Sequence, residues 1–255
     1  MNNIATNNES WEGSTWSTHT HFYPSVDSTM DIARQMAKGG CTEGTNVVAA
    51  RQHAGRGRLS RVWLSPEGSV SMSVVLFPEL NRLSHLVMIA GVAVVEALES
   101  FTGVSPALKW PNDIIIRGLK LGGILVESGT VSERRYAVIG IGLNVNVTIG
   151  DYPEIAGIAT SLFDITGKNF RETEVSRSIV RSLEHYYRGI DNSEIFQRWR
   201  SRLDTIDRRV TVETGGNHIE GIARDVNPDG SLIIRSDDGI DHQVFAGDIW
   251  LRSLA

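Results

Sequence analysis

The chain has 255 residues, is 41% hydrophobic and carries 25 Lys and Arg against 30 Asp and Glu, a formal net charge of -5. That length holds one large domain with a small appendage or two modest domains, and the acidic balance argues against general nucleic-acid binding, which shows as a basic domain. A single cysteine, Cys41, excludes an internal disulfide and a cysteine-based metal cage, and fits a reducing cytoplasm.

The polar N-terminus has neither the basic start nor the apolar run of a secretory signal. Residues 1–21 are rich in Asn, Ser and Thr and read as a flexible segment. Residues 22–26 read as a short strand. Ser28 then reads as a helix N-cap, with Asp31 in the place of a capping-box acid. Met30, Ala33, Met36 and Ala37 recur at helical spacing until Gly39-Gly40 ends the helix. Residues 45–52 read as a buried strand.

That strand delivers the chain to RQHAGRGRLSRVWLSPEGSVSMS. Arg51, Arg56, Arg58 and Arg61 fall within eleven residues that contain no acid. Gly55 and Gly57 let this backbone fold closely or move, and arginine grips phosphate with a two-pronged fork. The stretch reads either as a lid over a polyphosphate or anionic intermediate, or as a solvated basic turn. Residues 69–77 alternate Val70, Met72, Val74 and Leu76 with serines and Val75, the period of a half-exposed strand. Residues 83–101 are apolar nearly all round, as in a buried helix. The longest apolar run, 86–98, is broken by Gly91 and Glu96 and is too short to span a bilayer, so no membrane role is expected.

Ile114 to Ile116, Arg117-Gly118 and residues 119–127 read as two strands around a tight turn. Residues 135–147 form a further strand with Gly140 and Gly142 on one face, room for a ligand or another backbone. Residues 159–165, 172–187 and 193–203 read as helices. From about 204–207 the composition shifts to short alternating strands separated by turn signals such as Asn227-Pro228-Asp229-Gly230, the pattern of a small all-β barrel.

Several polar residues sit where chemistry is possible. Lys109, Asn112 and Asp113 lie in KWPND, where Pro111 interrupts a strand. Lys120 enters an apolar strand beside Gly122-Gly123 and wants an anionic partner. Two surface lysines and a turn aspartate are the bland alternative. Trp63 is either a ring-stacking lid or core. Asn144 and Asn146 flank Val145 and read equally as edge polarity. His53 is a lone loop histidine, and His19 and His21 have no acidic or cysteine partner, so no protein metal cage is expected. No P-loop, G-x-S-x-G or dinucleotide fingerprint is present.

Ser28-Thr29, Gln52, Gly55-Arg56-Gly57-Arg58 with Arg61 and Trp63, Lys109 to Asp113, Lys120 to Leu125 and Gly140 to Asn144 occur in the order seen in biotin protein ligases. From about residue 22 onward the chain resembles the short bacterial form, without an N-terminal helix-turn-helix. The resemblance implies an α+β fold: a mixed sheet flanked by helices over 22–204, followed by an SH3-like β-barrel over 205–255. It implies two steps, activation of biotin by ATP with Mg2+ to biotinyl-5′-AMP, then transfer to a lysine of a biotin carboxyl carrier protein. Ser28, Thr29, Gln52, Arg56, Lys120 and Gly123 would meet biotin, Lys120 bridging its carboxylate and the α-phosphate. Arg56, Arg58, Trp63, Lys109, Asn112, Asn144 and, from the barrel, Arg252 would meet the nucleotide. Lys120, Arg58 and Asp113 would be catalytic, Asp113 either orienting the acceptor amine or reaching magnesium. Ser60 stands where the family often has glycine, and Met30 where it often has asparagine. The resemblance leads us to expect no DNA-binding role. A homodimer through an exposed edge strand stays open. A lipoate ligase and an RNA-gripping module are the rival readings.

Overall fold

The computed structural model describes residues 14–214, 217–245 and 247–251. Seven strands, β1 (Thr20–Tyr23), β2 (Asn46–Ala49), β3 (Ser69–Leu76), β4 (Ala107–Lys109), β5 (Asp113–Ile116), β6 (Leu119–Val131) and β7 (Arg134–Asn144), form one sheet in the order β1-β2-β3-β7-β6-β5-β4. β1 and β2 run parallel and every other neighbouring pair runs antiparallel. The sheet is therefore mixed, as the resemblance implies.

Alternation along β3 and β7 sends side chains to two different covers. Val70, Met72, Val74, Leu76, Ala137, Ile139, Ile141 and Leu143 join the core built on helix α2 (Leu86–Thr102). Val75 and Val138 join Met30, Ala33 and Ala37 of helix α1 (Thr29–Lys38) on the opposite face. The serine pattern of β3 predicts a wet face, yet all eight residues of the strand are buried. Protein covers them instead of solvent: the Ser73 hydroxyl meets Thr29 of α1 at 2.8 Å, and that of Ser71 meets Ser65, next to the arginine-rich segment, at 2.5 Å.

Together with the 3-10 turn Leu80–His85, α2 makes a 23-residue run apolar enough to cross a bilayer by length and composition, longer than the sequence suggests. Its apolar surface is instead packed on the sheet and on α4 (Glu172–Gly189) and α5 (Asn192–Ser201). The helix expected over 159–165 is shorter, α3 (Leu162–Thr166), with Ser161 as its N-cap accepting from the Asp164 amide. Ala159 and Thr160 are held instead by backbone pairing with Lys120.

The N-terminal expectation needs correcting for residues 14–21. β1 starts at Thr20, and Trp16 is 1% exposed, its ring 5.5 Å from that of Tyr187. Glu184 accepts the Ser14 and Thr15 hydroxyls, both at 2.5 Å, and the Trp16 amide at 3.2 Å. Burial pushes the Glu184 carboxyl up, but these donors and Arg188 outweigh it and hold it below the usual carboxylate range. A polar composition looked flexible because its anchor lies about 170 residues downstream. The part of the expected flexible segment ahead of residue 14 lies outside the described residues. A Cβ at Gly44, whose φ is +80°, would overlap the Trp16 indole. Gly44→Ala is therefore expected to cost about 1–3 kcal/mol of stability, as overpacking does. Urea unfolding checks this, and an unchanged midpoint would show the Trp16 socket to be soft.

The second sheet contains β8 (Arg209–Thr214), β9 (Asn217–Val226), β10 (Leu232–Arg235), β11 (Asp241–Val244) and β12 (Asp248–Leu251), all antiparallel, in the order β11-β10-β9-β8-β12. Val210, Val212, Ala223, Leu232, Ile234, Val244 and Ile249 fill it. This is the small all-β barrel that the turn spacing announced, consistent with the SH3-like form that the resemblance implies. It is tied to the larger sheet: the Trp110 indole donates to Gly230 O at 2.8 Å, the Trp110 amide donates to Thr205 Oγ1 at 2.9 Å, and Arg200 grips Asp225 at 2.6 and 3.0 Å.

Candidate active site

A cavity of about 400 Å3 opens between the start of α1, the arginine-rich segment, the β4–β5 connection, β6, β7 and the edge of the barrel. Its neutral end is built by Ser28, Thr29 and Gln52. Ser28 precedes α1 as expected but makes no capping hydrogen bond; it is 2% exposed and its Oγ has no partner among the described residues. Asp31 is likewise not a capping-box acid. It pairs with Arg34 at 3.0 Å and with Arg56 at 2.8 Å. Gln52 Oε1 accepts from the Thr29 amide at 2.8 Å and the Thr29 hydroxyl at 3.0 Å. The two glycines of β7 give the space foreseen for them. A Cβ at Gly140 would meet Met30 Sδ at 2.6 Å, and one at Gly142 would meet the Trp63 indole at 2.5 Å. Both bulky side chains thus lie flat on bare backbone and line the cavity.

The arginine-rich segment is a short hairpin. Trp63 N donates to Gly55 O at 2.9 Å, Gly57 N to Arg61 O at 2.8 Å, and Arg56 bridges Val62 in antiparallel fashion. Leu59 and Ser60 turn the tip with φ of 53° and 60°, a conformation that glycine takes more cheaply. Arg56 is held at the stem by Asp31 and lies 3.9 Å from Glu127, to which Arg34 is also paired. Arg58 reaches from the tip to Asn112 Oδ1 at 3.3 Å and to Gly247 O of the barrel at 3.5 Å.

Opposite the hairpin, Pro111 breaks the edge of the sheet between β4 and β5, as the sequence suggests. Asn112 pins this break by donating to Ile124 O at 2.7 Å while Ile124 N donates to Asn112 O at 2.9 Å. Lys120 finds the anionic partner it needs in Asp113, 2.6 Å away, and its Nζ is 5.7 Å from the centroid of the Trp63 ring. Gly123 lies beneath this pair. Arg56, Arg58, Arg61, Lys109 and Lys120 line the cavity with Asp113 as the sole carboxylate among the lining residues. Five cations against one acid, in a chain of net charge -5, make this the place for a polyanion.

Not every residue singled out from the sequence lies here. Asn144 does not line the cavity; it is 3% exposed and its amide donates to Thr160 O at 3.0 Å. The segment after Ala159, expected as helix, is the extended chain that covers it. Arg252 lies outside the described residues. His53 is an exposed partner of Ser25 at 2.8 Å. Among the described residues no group of three His, Cys, Asp or Glu could hold a metal ion. Conversely, Met72, Ile158, Gly247 and Ile249 line the cavity and were not anticipated. Only the alternation of β3 and β7 hinted at the first of them. The barrel residues carry no local signal at all.

The Biotin/lipoate A/B protein ligase family model matches residues 22–144, and the biotin protein ligase C terminal domain matches 205–252. The chain is 36% identical over 241 residues to the bifunctional ligase/repressor BirA of Bacillus subtilis, covering 91% of this chain and 74% of that one. It is 34% identical over 231 residues to a biotin–[acetyl-CoA-carboxylase] ligase of Mycobacterium tuberculosis, covering 86% and 83%. Its structure matches biotin protein ligase from Aquifex aeolicus in complex with biotin and ATP with a TM-score of 0.78 at 30% identity, covering 92% of this chain and 98% of that one. On the shared fold, the shared sequence and both family matches, the chain is an enzyme of the biotin protein ligase family.

Proposed function

We propose that this enzyme activates biotin with ATP and passes it to one lysine of a biotin carboxyl carrier protein. In the first step a biotin carboxylate oxygen attacks the α-phosphate, the bond to the pyrophosphate breaks, and biotinyl-5′-AMP forms. In the second the lysine ε-amine attacks the acyl carbon, loses a proton and expels AMP. The observation that carries the reading is the division of the cavity. Ser28, Thr29 and Gln52 offer hydrogen-bonding groups without charge, and the rest of the lining includes five cations and one carboxylate.

Ser28, Thr29, Gln52 and the backbone at Gly123 take the ureido ring in this reading. Arg56 lies close to biotin, and Arg58 holds the α-phosphate from the hairpin tip. Lys120 sits between the two reacting groups and stabilises charge as the new bond forms, the kind of work on which phosphoryl chemistry mostly rests. Lys109 and Asn112 face the nucleotide, and Trp63 closes on its base. Asn144, committed to Thr160, is left out of the base contact. One carboxylate without an acidic cluster fits magnesium carried in on ATP, not caged by protein; when bound there it would screen the leaving pyrophosphate, with Asp113 placed to reach it. Asp113 also keeps Lys120 aimed. The uncharged polar groups at the neutral end favour biotin over the aliphatic tail of lipoate. We place the enzyme in the cytoplasm and include no DNA-binding role.

The test is transfer itself. With biotin and MgATP, a carrier domain should gain one biotinyl group by intact mass, and a carrier whose acceptor lysine is arginine should gain none. An unmodified wild-type carrier would overturn the transfer step.

A further inference from the structure

Ser73 lies on β3 opposite Gly140, is 0% exposed, and does not itself line the cavity. Its hydroxyl donates to Thr29 Oγ1 at 2.8 Å, and Thr29 Oγ1 donates to Gln52 Oε1 at 3.0 Å. The Thr29 backbone N–H donates to that same oxygen at 2.8 Å. A backbone N–H can only donate, so the Gln52 atom facing it has to be the oxygen and the Nε2 donors have to face elsewhere. Gln52 lines the cavity, and its Nε2 makes no hydrogen bond among the described residues.

The relay therefore fixes a polarity. Thr29 Oγ1 has given its proton to Gln52 and one lone pair to Ser73, which leaves it one lone pair as an acceptor. Gln52 Nε2 is a fixed donor. Ser28 Oγ, buried and without a partner among the described residues, is free to turn. A cyclic urea presents one carbonyl acceptor and two N–H donors, the complement of this set.

We infer that Ser73 is a positioning residue for the biotin pocket: its hydroxyl holds Thr29 as a donor to Gln52 and so sets the pocket against ligands that carry a donor where biotin has its ureido carbonyl. This rests on the reading of the neutral end as the ureido pocket. In Ser73→Ala the Thr29 hydroxyl is free to rotate, Gln52 Oε1 keeps only the backbone donor, and both the affinity and the discrimination weaken.

The probe pair is biotin and 2-iminobiotin, whose guanidinium-like group replaces the carbonyl acceptor by a donor at neutral pH. Calorimetric titration of both ligands is run on the wild-type enzyme, on Ser73→Ala and on Ser71→Ala. Ser71 is a control on the same strand face, its hydroxyl 2.5 Å from that of Ser65 rather than Thr29. Ser73→Ala is expected to weaken biotin binding about 5- to 10-fold, the usual effect of one lost hydrogen bond, and to lower the biotin to 2-iminobiotin preference at least about threefold. Ser71→Ala should leave that preference unchanged. An unchanged biotin affinity in Ser73→Ala, or an equal loss for both ligands, would overturn the relay and leave Ser73 a merely structural residue. Failure of the wild-type enzyme to bind biotin would overturn the ureido reading itself, a result visible before any variant is compared.

Discussion

Replacing Lys120 by alanine is expected to slow formation of biotinyl-5′-AMP by about two to three orders of magnitude, the loss that follows removal of one preorganised group at a developing charge. Biotin affinity should change far less, because the side chains proposed to hold the ureido ring, Ser28, Thr29 and Gln52, are untouched by the change. The reason for the asymmetry is positional. Lys120 Nζ is held by Asp113 at 2.6 Å, on a strand that also carries Gly123, so the cation is in place before charge builds on the α-phosphate. Removing it also strips Asp113 of its ion-pair partner and points an unbalanced carboxylate at an anionic substrate. Lys120→Arg keeps the charge but not the compact ammonium geometry, and should recover only part of the rate. Rapid-quench measurement of the adenylate beside calorimetric titration of biotin checks the division. Equal losses in both would count against the assigned role.

The second large effect is expected at Arg58. It connects the hairpin tip to Asn112 and to Gly247 of the barrel, so it closes the cavity from two sides at once. Arg56 cannot take over this work, being held at the stem by Asp31. Arg58→Ala should leave biotin affinity nearly intact and release biotinyl-5′-AMP about 10- to 100-fold faster, the scale of a lost charge-assisted contact to phosphate. A chase of preformed labelled intermediate reads this directly. If the variant retains the intermediate as well as the wild-type enzyme does, the hairpin is not a lid.

What could be read from the residues depended on the range of the interaction. Arg117-Gly118 announces a tight turn, and both residues take positive φ, 51° and 78°, between β5 and β6. The Gly140 and Gly142 pair announces a bare strand face, and Met30 and Trp63 lie on it. The Asn227 to Gly230 signal announces a turn between β9 and β10, and it holds the backbone bond from Gly230 N to Asn227 O at 2.8 Å. Each of these is set by its own few residues. Trp16 is buried by a partner on α4, and the serines of β3 are covered by a helix that comes from another part of the chain; neither cover leaves a mark on the local pattern. Asp31 illustrates the same limit, since its spacing from Ser28 suits a cap while two arginines compete for it and win. The candidate site was legible in the same uneven way. KWPND, the paired arginines and Lys120 stand out by type and spacing, and the fold brings them to one cavity. Asn144 stood out equally and is committed elsewhere, while Ser73 looked like a solvent-facing serine.

The most direct test of the enzyme's central chemistry is exchange of labelled pyrophosphate into ATP in magnesium buffer, with biotin and lipoate run side by side. Biotin-dependent exchange, with none from lipoate, is the predicted result. Exchange that depends on lipoate would keep the adenylating mechanism and contradict the assignment of biotin to the neutral end of the cavity. Exchange with neither would contradict the adenylation step itself.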